Sequence, residues 1–275
     1  MTQPFFPSVE NSALKIATSF CLPALLAAAA CLSNVSALRA ETGTLRMQLV
    51  YGGDPVKPAP IDVNKDVQFC GKHGLTNEAL IVNPTNKGIK NAVVYVYTGR
   101  GTPDLPETEP AGANHVLANE NCRFEPRYII AQTGDELTVT NPDPVGHNAN
   151  LNFLRNDPQN FTIPTGQEKS VDLVEAEPAP IPVECNIHPW MKAYVVVLEH
   201  PFAAVSDEDG MIEIEGLPAG EELTFRIFHE AGRIDEVTID GKSESWRRSR
   251  FEVEIEPGMN DMGTVTVPAD ALSGE

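Results

Sequence analysis

The stretch PVECNIHPWMKAYVVV, Pro182 to Val197, sets a thiol, an imidazole and a thioether in a short loop directly before an apolar run. The run AYVVV is rich in β-branched residues and reads as a buried strand. Cys185, His188 and Met191 therefore sit where a loop feeds a strand. A lone Cys-x-x-His is weak, so its meaning depends on what else the chain can bring to it.

Upstream, DELTVTNPDPVGHN, Asp135 to Asn148, repeats the design: an alternating strand, an Asn/Pro/Asp turn, then a histidine. Copper in electron-transfer sites is held by two imidazoles and a thiolate near one plane, with a weak axial thioether. The first loop offers a thiolate, an imidazole and a thioether, and His147 is the best source of the second imidazole. The expected metal ligands are thus His147, Cys185, His188 and Met191. A sandwich burying Cys185 and Met191 as core, with both histidines outside, is the bland alternative. Zinc would accept the thiolate and imidazoles but does not favour the thioether.

Working outward, segments such as GTLRMQLVY, NAVVYVY, RYIIAQ, KSVDLV, MIEIEG, LTFRIF, RFEVEIE and GTVTVP have strand character and are separated by Gly, Pro, Asn and Asp turns. No long amphipathic helix is evident, and no glycine loop lies between a strand and a helix. The expected fold class is all-β, built as sandwiches. A boundary near His200 is expected, because every cysteine of the exported chain precedes it.

Residues 1–37 read as a signal peptide: a lysine, the apolar run IATSFCLPALLAAAACL and a V-S-A cleavage site. The run is shorter than the about 20 residues of a spanning helix and holds Pro23, so a membrane anchor ranks below cleavage; lipidation at Cys31 is the second choice. The expected location is periplasmic or secreted. Cys70, Cys122 and Cys185 then remain in an oxidising compartment. One economical solution pairs Cys70 with Cys122 and leaves Cys185 as a ligand; the other keeps all three as small buried apolar groups.

The remaining histidines fit a metal less well. His73 could form a Cys-x-x-His with Cys70, His115 lies in an acidic Pro/Gly-rich loop, and His200 and His229 are expected at the surface at strand ends.

The two ligand segments resemble the cupredoxins, the type 1 blue copper proteins similar to plastocyanin and pseudoazurin. The resemblance covers roughly residues 44–199 and implies a Greek-key β-sandwich, one type 1 copper on the four residues above, and an electron port at His188 near the surface beside Pro189 and Trp190. It also implies that Asn148 hydrogen-bonds between the two ligand loops. Only two residues separate His188 from Met191, a spacing similar to the binuclear copper domain of cytochrome oxidase subunit II. One cysteine in the loop implies a mononuclear centre. Glu184 and Asn186 beside Cys185 disfavour a multicopper oxidase or nitrite reductase.

The tail AVSDEDGMIEIEGLPAGEELTFRIFHE resembles the carboxypeptidase regulatory-like family, a transthyretin-like β module. The expected organisation is a signal peptide at 1–37, a cupredoxin-like domain at 38–199 and this accessory module at 200–270. DEDG reads as an Asp-Gly hairpin rather than a calcium loop, and WRRSR as a solvated turn before a strand.

A net charge of −19, from 20 basic and 39 acidic residues in 275, argues against nucleic acid as partner and favours a basic one such as a c-type cytochrome. The implied protein is a monomeric one-electron carrier with at most peripheral membrane contact, and not an enzyme in the bond-making sense. The alternatives are a copper carrier or an exported β-sandwich binding or scaffolding protein whose metal site is vestigial.

Overall fold

The computed structural model describes residues 41–108 and 112–272; the expected signal peptide, with Cys21 and Cys31, lies outside them. The described chain is nearly all β, as expected, with one short α-helix, Val67–Cys70, and one 3-10 turn.

The first sandwich is built from a five-stranded and a four-stranded sheet. In the five-stranded sheet the order is Gln159–Ile163, His147–Leu151, Ile181–Glu184, Lys192–Leu198 and Tyr128–Gln132. In the other it is Glu168–Leu173, Asp135–Thr140, Asn114–Glu120 and Arg123–Glu125. The strand Lys192–Leu198 is buried almost throughout, which is why it reads as a continuous apolar run, whereas Asp135–Thr140 alternates in residue type, with Leu137 and Val139 in the core and the buried Thr138 between them. Leu117, Leu137, Leu151, Ile163, Val183 and Val195 are among the residues that close the core between the sheets.

The second sandwich departs from the expected boundary. Its five-stranded sheet has the order Met211–Pro218, Thr42–Tyr51, Gly258–Val267, Glu236–Ile239 and Lys242–Ser245. Its four-stranded sheet has Ala203–Val205, Val93–Val96, Glu222–Phe228 and Arg250–Glu254. Thr42–Tyr51 and Val93–Val96, assigned by sequence to the first domain, therefore belong to the second. The cause is their apolar face: Leu45, Met47, Leu49 and Val94 bury against Phe225, Ile227 and Val265. A division at His200 separates strands that share a sheet, and residues 113–198 form an insert within the second sandwich.

Two local readings also change. The DEDG turn does not close a hairpin, because the strands on either side pair with different partners, Ala203–Val205 with Val93–Val96 and Met211–Pro218 with Thr42–Tyr51. Its carboxylates already have partners: Asp207 accepts the N–H groups of Asp209 and Met211 within the turn, Asp209 accepts the side-chain amides of Asn83 and Asn86, and Glu208 pairs with Lys90. WRRSR does precede a strand, but Trp246 is buried and stacks on Phe251, with ring centroids 4.1 Å apart.

The sandwiches meet through a smaller apolar cluster containing Val93, Tyr95, Tyr128, Tyr194, Val196 and Leu198. Beside it, the Arg127 guanidinium forks onto the Glu230 carboxylate at 2.6 and 2.8 Å and donates to the Lys192 carbonyl at 3.0 Å.

Candidate metal centre

Each ligand segment is fixed locally before the two meet. Asn141 ends its strand and folds the turn after it: its side-chain oxygen accepts the Asp143 N–H at 3.0 Å, and its amide donates to the carbonyls of Val145 and Ile163. That turn delivers His147 to the start of the strand His147–Leu151. In the other loop the Met191 N–H bonds to the His188 carbonyl at 2.9 Å, and the Cys185 N–H to the Met191 carbonyl at 3.3 Å. Asn148 joins the loops, accepting the Asn186 N–H on its side-chain oxygen at 2.7 Å, the contact the resemblance implied.

His147, Cys185 and His188 converge, with ligand atoms all within 4.8 Å of one another and all three side chains buried. The two Nδ1 atoms lie 3.0 Å apart, and Cys185 Sγ is 3.7 Å from His188 Nδ1. Both outer nitrogens face carboxylates: His147 Nε2 is 3.0 Å from Asp143 Oδ2, and His188 Nε2 is 2.8 Å from Asp66 Oδ2. An ionised carboxylate only accepts, so each Nε2 carries the proton and each Nδ1 turns a lone pair inward. Two lone pairs and a thiol sulfur facing one buried point demand a cation, a proton or a metal ion.

The spans fit a metal. Two nitrogens about 2.0 Å from one ion and about 100° apart lie about 3.1 Å from each other, and a sulfur at about 2.3 Å lies about 3.7 Å from a nitrogen at a trigonal angle of about 120°. Met191 is buried in the same core cluster as Cys185, and the loop's backbone bonds bring it back toward that residue.

Electrostatics point the same way. Where a proton rather than a metal ion fills that point, burial pushes the Cys185 thiol up, but hydrogen bonds with the imidazoles of His147 and His188 that then carry it, and with the main chain of Asn148 and His188, outweigh burial and bring it down to about 6. Burial pulls His188 down, yet the bonds to Cys185 and Asp66 leave it raised.

Cys70 and Cys122 are disulfide-bonded, and among the described residues Cys185 is the free, buried thiol. The grouping of Cys122 with Asp143 and His147 is therefore not a second site. His73 packs edge-on against Phe69, away from any metal role with Cys70. His115 lies on a strand rather than in a loop, 2.8 Å from Asp135. His200 and His229 are buried, not surface groups.

The expectation that His188 reaches the surface is corrected: the side chain is fully buried, and the Asp66 carboxylate covers its outer edge. Trp190 is half-buried instead, its ring centroid 5.2 Å from that of His188 and its N–H donated to the Cys122 carbonyl at 3.1 Å. With Pro189, Ile61 and Leu75 it lines a cavity of about 390 Å³.

Sequence reasoning missed both carboxylates. Asp143 had a signal, an acid four residues before His147 on a tight turn. Asp66 had none, since 122 positions separate it from His188.

No family model matches the sequence, and no curated protein does. Among solved structures the chain is similar in part to several copper proteins. One is a copper-containing nitrite reductase from Thermus scotoductus SA-01, 18% identical over 38% of this chain and 25% of that one, with a TM-score of 0.28. A purple cupredoxin from Nitrosopumilus maritimus is 23% identical over 31% of this chain and 98% of that one, with a TM-score of 0.26. A reduced single-residue mutant of amicyanin is 21% identical over 39% of this chain and 98% of that one, with a TM-score of 0.28. This chain spans a quarter of the nitrite reductase's length. Likeness at this level carries no chemistry, which rests on the geometry of the centre itself.

Proposed function

We propose that the protein is an exported mononuclear type 1 copper protein that carries single electrons. One observation carries the reading: two imidazole Nδ1 atoms and a thiol meet at a buried point, 3.0 and 3.7 Å apart, with each imidazole's outer nitrogen tied to a carboxylate. His147, Cys185 and His188 would hold the ion, and the buried Met191 would offer a thioether as the fourth ligand. Copper, when bound there, alternates between two oxidation states by one electron.

The chain's own work is to keep the ligands still and dry. Asp143 and Asp66 hold the rings in one tautomer, Asn148 locks the loops together, and the core around Met191 and Val183 excludes water. Electrons would pass through Trp190 and Pro189, the accessible neighbours of His188, to a partner. The acidic chain favours a basic partner such as a c-type cytochrome, associating faster at low salt. The second sandwich would be a non-catalytic accessory module of the carboxypeptidase regulatory-like kind, completed here by Thr42–Tyr51 and Val93–Val96.

The test is to add Cu(II) to the metal-free protein and record the visible spectrum. An intense thiolate-to-copper band is expected, lost in Cys185→Ser and disturbed in His147→Ala. A protein that takes up zinc but remains colourless with copper refutes the reading, and one that takes up neither metal is a binding or scaffolding module instead.

A further inference from the structure

We infer that Asp66 is the positioning residue of His188, held over the centre by the Cys70–Cys122 disulfide; the inference rests on the copper reading above. Asp66 occupies the N-cap of the helix Val67–Cys70, where an aspartate ordinarily accepts N–H groups of the first turn. Here its side chain makes no capping bond, and its backbone is left-handed, with φ of 44°. The carboxylate is turned instead onto His188 Nε2 at 2.8 Å. A non-glycine residue in that region, with its usual hydrogen bond forgone, marks a side chain placed for its distant partner.

The disulfide explains how the placement is kept. On one side the Cys70 N–H bonds to the Asp66 carbonyl at 2.9 Å, so Asp66 is tied to the bridge by one helical turn. On the other, the N–H groups of Asn121 and Cys122 bond to the two oxygens of Asp143 at 2.8 Å each, and Asp143 in turn orients His147. The Cys122 carbonyl also takes the Trp190 N–H. Both carboxylates that orient the imidazoles are thus anchored on the two ends of one covalent bridge. Because the Asp66 carboxylate covers His188, the centre is closed on the edge where the resemblance placed an electron port.

The experiment uses Asp66→Gly and Asp66→Asn in the full chain, titrated with Cu(II) against a competing chelator. Glycine suits the left-handed backbone, so metal-free Asp66→Gly should unfold in urea no earlier than the wild type. Its copper affinity should nonetheless fall about 10- to 100-fold, with an altered charge-transfer band and a raised reduction potential, since a negative charge has been removed. Asp66→Asn keeps an oxygen that accepts from Nε2 and should recover part of the affinity but not the potential. Wild-type-like affinity, band and potential in Asp66→Gly overturn the inference alone, as does a loss of affinity matched by a loss of metal-free stability. A wild type that takes up no copper overturns the underlying reading and this inference with it.

Discussion

Acid should destabilise this fold through two buried histidines outside the candidate metal centre. His200 and His229 are each 3% exposed, and each is locked as the neutral ring. In His200, Nδ1 accepts the Phe202 N–H and Nε2 donates to the Val96 carbonyl; in His229, Nδ1 accepts the Ala231 N–H and Nε2 donates to the Lys90 carbonyl. Burial is the main cause that brings both down to about 4, from 6.5 in the unfolded chain. Both folded values are depressed, so their contribution is complete above pH 6.5 and is lost as the pH falls through about 4. Between neutral pH and about pH 5 each should cost about 2 kcal/mol, and the pair about 4 kcal/mol. Urea unfolding at the two pH values measures the loss. His200→Gln and His229→Gln should each cost some stability at neutral pH but flatten the acid loss by about half. A double variant as acid-sensitive as the wild type, or ring protons that titrate near the ordinary histidine value in the folded protein, would refute the reasoning.

Other expectations test the joints of the structure. Glu230→Gln takes the bidentate partner from the Arg127 guanidinium, 13% exposed, and leaves it only Glu78 at 3.7 Å; it should lower stability by about 2 kcal/mol and Tm by about 4–8 °C, measured by calorimetry. Phe225→Ala empties a fully buried ring position beside Phe251 and should cost about 3–5 kcal/mol in a urea titration. Replacing Cys70 and Cys122 together by alanine opens a loop of 52 residues and should cost about 4 kcal/mol on loop entropy alone; a drop below about 1 kcal/mol would mean that the unfolded chain is already constrained there.

Strands whose residue types alternate or run apolar, such as Asp135–Thr140 and Lys192–Leu198, were legible because Leu137 and Val139 point one way into the core in the first and nearly every residue is buried in the second. The strand His147–Leu151 was not, since HNANL buries the polar His147 and Asn148 beside the core residues Ala149 and Leu151 and so shows no apolar alternation. Among the expected ligands, the two histidines and the cysteine announced themselves through chemistry and through turns that fold locally. Asp66 did not, because its partner is fixed by a bridge between remote segments. The division at His200 failed for a related reason: Thr42–Tyr51 looks like any amphipathic strand, and nothing local in it says that its neighbours lie near the other end of the chain. His200 and His229 were misread because one histidine satisfied by two main-chain groups leaves no pattern in its flanks.

The placement of Thr42–Tyr51 also bears on how the molecule is made. It lies between Met211–Pro218 and Gly258–Val267, and Asn260 hydrogen-bonds to Thr44 across 216 positions. During synthesis this strand emerges before Met211–Pro218 and Gly258–Val267 and has no partner strand in its sheet until they have followed. The insert of residues 113–198, whose sheets are complete within it, can meanwhile assemble on its own strands. The candidate ligand loops would then be formed while the second sandwich is still open, and the apolar face of Thr42–Tyr51 is the one left uncovered for longest.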